Sequence, residues 1–341
     1  MNSRLIPATL IPGDGIGPEI TAATLKVLDA LGAPFEWETR AAGMAAVEKY
    51  GDPIPAETLA SIRRTRLALK GPLTTPVGGG YRSVNVQLRK EFQLYANVRP
   101  ARTLLPGGRY DHVDIVLVRV NTEGFYVGFE HYIPMGDDPR AAAVSSGIIT
   151  REGCRRVAEF AFDYALKHGR RKLTIVHKAN ILKALTGLFL ETVREVGAKY
   201  EGRIQIEDRI IDACAMQLVL DPGRFDLILT TNLFGDILSD LIAGLVGGLG
   251  LAPGANIGRE AAIFEAVHGS APDIAGQGIA NPTALMLAAA MMLEHVQRDD
   301  LARRLRQAIE TTLREDGVRT RDLGGTASTI EFADAVAHHL R

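Results

Sequence analysis

Short apolar runs recur along the chain at residues 5–11, 67–70, 113–119, 172–176, 227–230 and 263–266. Each reads as a strand with no solvated face. Such a strand must be covered by other elements, and helices are the natural cover. The intervening stretches supply those helices. Leu25, Leu28 and Leu31 follow helical spacing, Thr150 stands as N-cap to a helix reaching about residue 168, and Ser328 with Glu331 reads as a capping box. Further helices are expected at 44–50, 56–63, 83–92, 185–196 and 299–315, from Asp212, and from Asn281-Pro282 through Leu293, with further strands at 35–39 and 205–211. Strands alternating with helices predict an α/β fold.

The length of 341 residues allows one large or two medium domains. Thirty-nine basic against forty acidic side chains leave a formal charge of -1, so there is no global field for nucleic acid or an anionic membrane. Any anion must be held by local clusters. Cys154 and Cys214 lack the Cys-x-x-Cys spacing, which argues against a disulfide framework and a structural zinc site and makes a reducing cytoplasm the expected location. Pro7 and Pro12 break the first apolar run, unlike a secretory signal, and no stretch is apolar enough for long enough to span a bilayer.

Several polar groups stand where strands give way to loops. The turn Gly13-Asp-Gly-Ile-Gly17-Pro18 follows the first strand, but its G-x-G-x-G-P spacing fails the dinucleotide fingerprint at the third glycine, so no Rossmann domain is expected. Residues 70–80 form a proline- and glycine-rich loop opening onto a helix that carries Ser83, Asn85 and Arg89. Arg99 precedes Pro100, expected to stop its strand, and Arg119 ends another. Three arginines so placed make either a receptor for several carboxylates or three separate surface ion pairs. Residues 125–150 lose helical period and predict a two-stranded excursion, which needs a partner to bury it. Lys178 and Asn180 follow a strand end, where α/β proteins place ligands, although Lys178 also reads as a solvated lysine. Asp212 is explained equally by helix capping. Asp236 and Asp240 lie four apart on an apolar helix, either as acids at the positive end of a helix dipole or as ligands of a hard cation.

Distributed motifs then point one way. G-D-G-I-G-P-E at 13–19, the Thr75-Pro76 glycine loop, Y-A-N-V-R-P at 95–100, N-T-E-G-F-Y at 121–126, H-K-A-N at 177–180, N-L-F-G-D-I-L-S-D at 232–240 and G-S-A-P-D at 269–273 occur in order. Over nearly its whole length the chain resembles the isocitrate/isopropylmalate dehydrogenase family, the β-decarboxylating dehydrogenases of 2-hydroxy acids. Within it, S-V-N-V-Q-L-R at 83–89 resembles the isocitrate branch. Val120 departs from the glutamate that many isocitrate enzymes carry there. The resemblance implies a large domain from 1–95 and 247–341, a small domain from 96–123 and 151–246, and a clasp at 124–150. It also implies a homodimer, or a larger assembly of such dimers, with shared active sites.

Roles follow from the same resemblance. Ser83, Asn85, Arg89, Arg99 and Arg119 are implied to bind a tricarboxylate, whose lost hydration guanidinium groups replace with directed bonds. Asp236 and Asp240, with Asp212 of the partner subunit, are implied to hold Mg²⁺ or Mn²⁺, hard cations that prefer oxygen. Lys178 of the partner subunit, with Asp212, is implied to serve proton transfer at the substrate's C2 oxygen, and Tyr126 to protonate the enol left by decarboxylation. Thr74, Asn180, His268, Gly269, Ser270, Ala271, Asp273, Ile274 and Asn281 are implied to bind the cofactor. The implied reaction is NAD-dependent oxidative decarboxylation of isocitrate, with homoisocitrate dehydrogenase and a non-catalytic subunit of a hetero-oligomer as alternatives. Ser83 and Asn85 argue against isopropylmalate, which needs an apolar pocket. Asp273 selects NAD, because a carboxylate accepts from a free ribose hydroxyl and repels a 2'-phosphate. The double substitution Asp273→Lys, Ile274→Tyr is accordingly expected to shift the ratio of kcat/KM values towards NADP, measured with both cofactors; an unchanged ratio removes the assignment.

Overall fold

The computed structural model describes residues 5–76, 80–105 and 108–341. In chain order the first elements are β1 Ile6–Ile11, α1 Gly17–Leu31, β2 Phe35–Thr39, α2 Met44–Tyr50, α3 Ala56–Thr65, β3 Leu67–Lys70, α4 Val84–Glu91, β4 Ala96–Arg102 and β5 Asp114–Val120. Then come β6 Gly124–Met135, β7 Asp138–Ile148, α5 Arg151–Lys167, β8 Lys172–His177, α6 Leu185–Gly197, β9 Gln205–Ile210, α7 Ile211–Leu220, β10 Leu227–Thr230 and α8 Asn232–Val246. The chain ends with β11 Pro253–Ile257, β12 Ala262–Ala266, α9 Thr283–His295, α10 Asp299–Arg314 and α11 Thr329–His338. The α/β class expected from the alternation is the one observed.

Two compact units emerge, one of residues 1–92, 99–113 and 243–341, the other of 93–98 and 114–242. In the first, strands lie in the order β2-β1-β3-β12-β11. All neighbours there are parallel except β11, antiparallel to β12. Helix α9 is apolar on every side and wholly buried along most of its length, as a helix packed between other elements must be. In the second unit the order is β5-β10-β8-β9, all parallel, and β6 and β7 pair as a separate antiparallel hairpin.

Local chemistry accounts for most boundaries. Thr150 accepts from the Gly153 N–H, and Ser328 and Glu331 close a reciprocal capping box, as expected. Three boundaries differ from expectation. Strand β4 runs through Pro100 to Arg102, because proline's fixed φ suits extended backbone and costs only one ladder donor. Asp212 lies in the first turn of α7 with Ile210 at the N-cap, so it is not the cap residue, and its side chain reaches Lys178. The segment Pro253–Ile257, unread because proline and glycine open it, is a strand, held by pairing with β12 rather than by its own propensity. Residues 77–79 of the expected glycine loop lie outside the described residues, as do residues 1–4.

The first unit also buries charge. In the parallel register Glu265 of β12 lies beside Lys70 of β3, and their side chains meet at 2.8 Å. Lys70 also donates to the Gly71 carbonyl at 2.9 Å, Asn256 donates to Glu265 at 2.7 Å, and Arg89 donates to Asn256 at 3.1 Å. Burial opposes ionisation of Glu265, but Lys70 and Arg89 overcome it and hold the carboxyl far below the usual range. Removing one member of such a cluster leaves the others buried and underpaired. Glu265→Gln is therefore expected to destabilise the protein by about 3–5 kcal/mol in denaturant unfolding, and a loss below about 1 kcal/mol would contradict it.

Candidate functional site

The turn Gly13–Gly17 docks on the loop after β12. Asp14 accepts from the N–H groups of Thr74 at 2.8 Å and Ala45 at 3.2 Å, the Ile16 N–H donates to the Ser270 carbonyl at 2.9 Å, and the Thr74 and Ser270 hydroxyls share a hydrogen bond of 2.7 Å. Gly15 adopts φ +56°, and a Cβ there would stand 2.0 Å from the Ser270 carbonyl oxygen. These glycines serve close backbone approach between two loops of the protein itself. The carboxylate between them was not singled out by sequence reasoning, although its place in G-D-G was the available signal.

Beside this junction a cavity of about 690 Å³ is lined by Ile16, Gly250, His268, Gly269, Ala271, Ile274, Ile279, Ala280, Asn281, Arg321 and Asp322. Five expected cofactor residues line it together: His268, Gly269, Ala271, Ile274 and Asn281. Ser270 and Thr74 buttress it through the hydroxyl pair, and exposed Asp273 is outside the lining. Ala271 holds φ +39°, an uncommon conformation for a residue with a Cβ. His268 Nδ1 meets the Gly269 carbonyl at 2.9 Å as donor, leaving Nε2 as an acceptor, and burial lowers its pKa so that the ring is held neutral. Asn281 donates to Asp322 at 2.9 Å while its carbonyl accepts from the Thr283 N–H at 3.0 Å. Arg321 and Asp322 went unread, since a short polar turn far along the chain carries no signal of its neighbours.

Ser83, Asn85 and Arg89 occupy the start and body of α4. Ser83 Oγ caps the helix by accepting from the Val86 N–H at 3.4 Å. The Asn85 side-chain oxygen is buried with no hydrogen-bond partner among the described residues. Arg89 faces Asn256 and Glu265, and Arg99 is buried in β4.

In the second unit Arg119, at the carboxyl end of β5, meets Asp236 of α8 at 2.8 Å and donates to the Asn232 carbonyl at 3.1 Å. Tyr126, on β6, donates its hydroxyl to the other Asp236 oxygen at 2.5 Å. Asp236 thus joins Arg119 and Tyr126, while Asp240 lies exposed one turn along the helix. Gly235 permits the approach, because a Cβ there would stand 2.5 Å from the Arg119 Cβ. Lys178 and Asp212 form a separate pair at 2.8 Å, and the lysine's hydrogen bond lowers the Asp212 pKa. Asn180 is exposed beyond Lys178. Among the described residues of one chain, no group of three His, Cys, Asp or Glu side chains gathers as a metal site.

The family model for isocitrate/isopropylmalate dehydrogenase matches residues 8–336. The solved structure of isocitrate dehydrogenase from Methylococcus capsulatus superposes with a TM-score of 0.95 at 56% identity, covering 99% of this chain and 100% of that one. Catalytic subunit 5 of the mitochondrial NAD isocitrate dehydrogenase of Arabidopsis thaliana is 50% identical, over 98% of this chain and 88% of its own. The 3-isopropylmalate dehydrogenase of Archaeoglobus fulgidus is 49% identical, over 97% of this chain and 98% of its own. The chain belongs to the isocitrate/isopropylmalate dehydrogenase family and is an oxidoreductase of that fold.

The loop junction beside the cavity makes a direct test. Gly15→Ala is expected to cost about 1–3 kcal/mol through overpacking against backbone and to weaken dinucleotide binding, measured by denaturant unfolding and by cofactor titration. Wild-type stability and affinity together would contradict the packing described.

Proposed function

We propose that the chain oxidises isocitrate with NAD and releases CO₂, giving 2-oxoglutarate, with Mg²⁺ or Mn²⁺, and that it works as a homodimer with shared active sites. The observation that carries this is the joining of Arg119, Asp236 and Tyr126, which sets a carboxylate receptor, a cation ligand and a proton donor side by side. Arg119 carries a planar fork of N–H donors of the kind suited to a substrate carboxylate. The Asp236 carboxylate is a hard oxygen donor of the kind a divalent cation takes. The donors are all oxygen, which suits a hard divalent ion held by Asp236, Asp240 and Asp212 of the partner subunit. When bound, that ion supplies Lewis-acid polarisation of the C2 oxygen.

The chain's own groups account for the protons. A bound nicotinamide would supply the hydride acceptor for C2, and the C2 hydroxyl proton would pass through Lys178 to the ionised Asp212 that accepts its hydrogen bond, the lysine giving up one proton as it takes another. After CO₂ departs with its bonding electrons left on C3, Tyr126 returns a proton to that carbon. Asp236, receiving the phenol's hydrogen bond at 2.5 Å, holds the hydroxyl in place until then. Lys178 and the exposed Asp212 form half of a site, which favours delivery to a second subunit. The hairpin leaves Phe129, Tyr132 and Met135 exposed, apolar surface that a dimer would cover.

The Ser83 hydroxyl and the Asn85 amide, both of which carry donors a carboxylate can accept from, support a charged substrate arm at α4 over an isopropyl group, which would pair with neither. NAD reduction with Mn²⁺ present should be compared across isocitrate, homoisocitrate, isopropylmalate and tartrate. Isocitrate is expected to give the highest kcat/KM, with homoisocitrate lower by about 10–200-fold for its extra methylene. A higher kcat/KM for isopropylmalate would falsify the substrate assignment.

A further inference from the structure

His177 ends β8 and is buried, one residue before Lys178. Its two ring nitrogens do different work. Nδ1 lies 3.0 Å from the Ala179 N–H and accepts from it, so Nδ1 carries no proton. Nε2 therefore bears the hydrogen, and it donates to Asp208 on the neighbouring strand β9 at 3.1 Å. Asp208 is also paired with Arg194 of α6. Burial opposes its charge, but Arg194 and His177 lower its pKa and keep it an acceptor. The next turn is closed from the other side. The Lys178 N–H donates to the Thr186 hydroxyl at 3.2 Å, and the Lys178 carbonyl accepts from Ile181 and Leu182 at 3.0 and 2.8 Å.

We propose that His177 is a positioning residue for the reaction: Asp208 fixes its tautomer, and the Nδ1 acceptor so created pins the backbone at Ala179 and aims Lys178 at Asp212. The inference rests on Lys178 acting as the proton carrier proposed above. The partly buried lysine side chain pairs with Asp212 at 2.8 Å, and long lysine chains wander unless their backbone is held. An imidazole between Ala179 and Asp208 holds that backbone from inside the sheet without touching substrate.

The two nitrogens can be tested separately. An asparagine amide oxygen overlays Nδ1 and keeps the Ala179 bond, whereas a glutamine side-chain nitrogen overlays Nε2 and keeps only the Asp208 bond. Steady-state kinetics with isocitrate, NAD and Mn²⁺ should be run for His177→Asn, His177→Gln and Lys178→Ala, beside thermal unfolding. The expected result is a kcat about tenfold or more lower in His177→Gln with both KM values within about twofold, and a kcat within about threefold of wild type in His177→Asn. Wild-type kcat in His177→Gln while Lys178→Ala is inactive overturns the inference and leaves the functional proposal standing. Full activity in Lys178→Ala overturns both. Equal losses in the two His177 variants that track a lowered unfolding midpoint assign the ring to packing and overturn the positioning role. Should His177→Gln fail to fold, Asp208→Asn carries the test, since it keeps the ring but weakens its tautomer lock: a kcat lower by about threefold or more supports the inference, and an unchanged kcat overturns it.

Discussion

A charged group at the carboxyl end of a buried strand must find a partner before helices can close over the sheet, since an isolated buried ion costs several kcal/mol. Strands β3, β5, β8, β10 and β12 are buried and apolar through most of their length, so polar groups concentrate near their ends. Lys70 meets Glu265 across β3 and β12, Arg119 meets Asp236 across the turn into α8, and His177 meets Asp208 across β8 and β9. Each pair is set by strand register or by the helix that follows, so pairing and sheet order specify one another. The Arg119–Asp236 pair also brings together a guanidinium and a carboxylate, groups with the chemistry to bind an anion and a cation.

The glycine turn shows the same economy in backbone. Its spacing departs from the dinucleotide fingerprint, and the structure supplies the reason. Gly15 accommodates the Ser270 carbonyl, and Asp14 gathers the N–H groups of Thr74 and Ala45. Three segments distant in sequence are tied at one corner of the cavity. Its lining is fixed by backbone contacts and by one strained residue, Ala271, so it is largely formed before any ligand arrives. His268, held neutral by burial, contributes an acceptor rather than a charge.

Chemistry on the other unit is divided between two groups within one chain. Arg119, Asp236 and Tyr126 are joined by direct bonds, whereas Lys178 and Asp212 stand as their own exposed pair. That division fits the proposed dimer, in which each subunit lends the lysine pair to its partner. The β6–β7 hairpin, bare of its own covering helices, is the companion feature.

Much of this was legible in the sequence for identifiable reasons. Apolar runs and helical spacing are local, and so are the caps at Thr150 and Ser328. The α/β class and most element boundaries were therefore readable. Asp236 and Asp240 announced themselves because a helix sets their spacing, but whether they were dipole acids or ligands was not a local question. Other features depended on contacts between separate elements of the chain. Pro253–Ile257 is a strand because it pairs with β12, Asp212 pairs with Lys178, and Asp322 meets Asn281 after α10 has brought the chain back. By itself the sequence determined the elements, the family and the kinds of groups available, because these rest on short-range periodicity and motif. Tertiary structure alone decided which groups meet, because each depends on a neighbour to offset the cost of its burial.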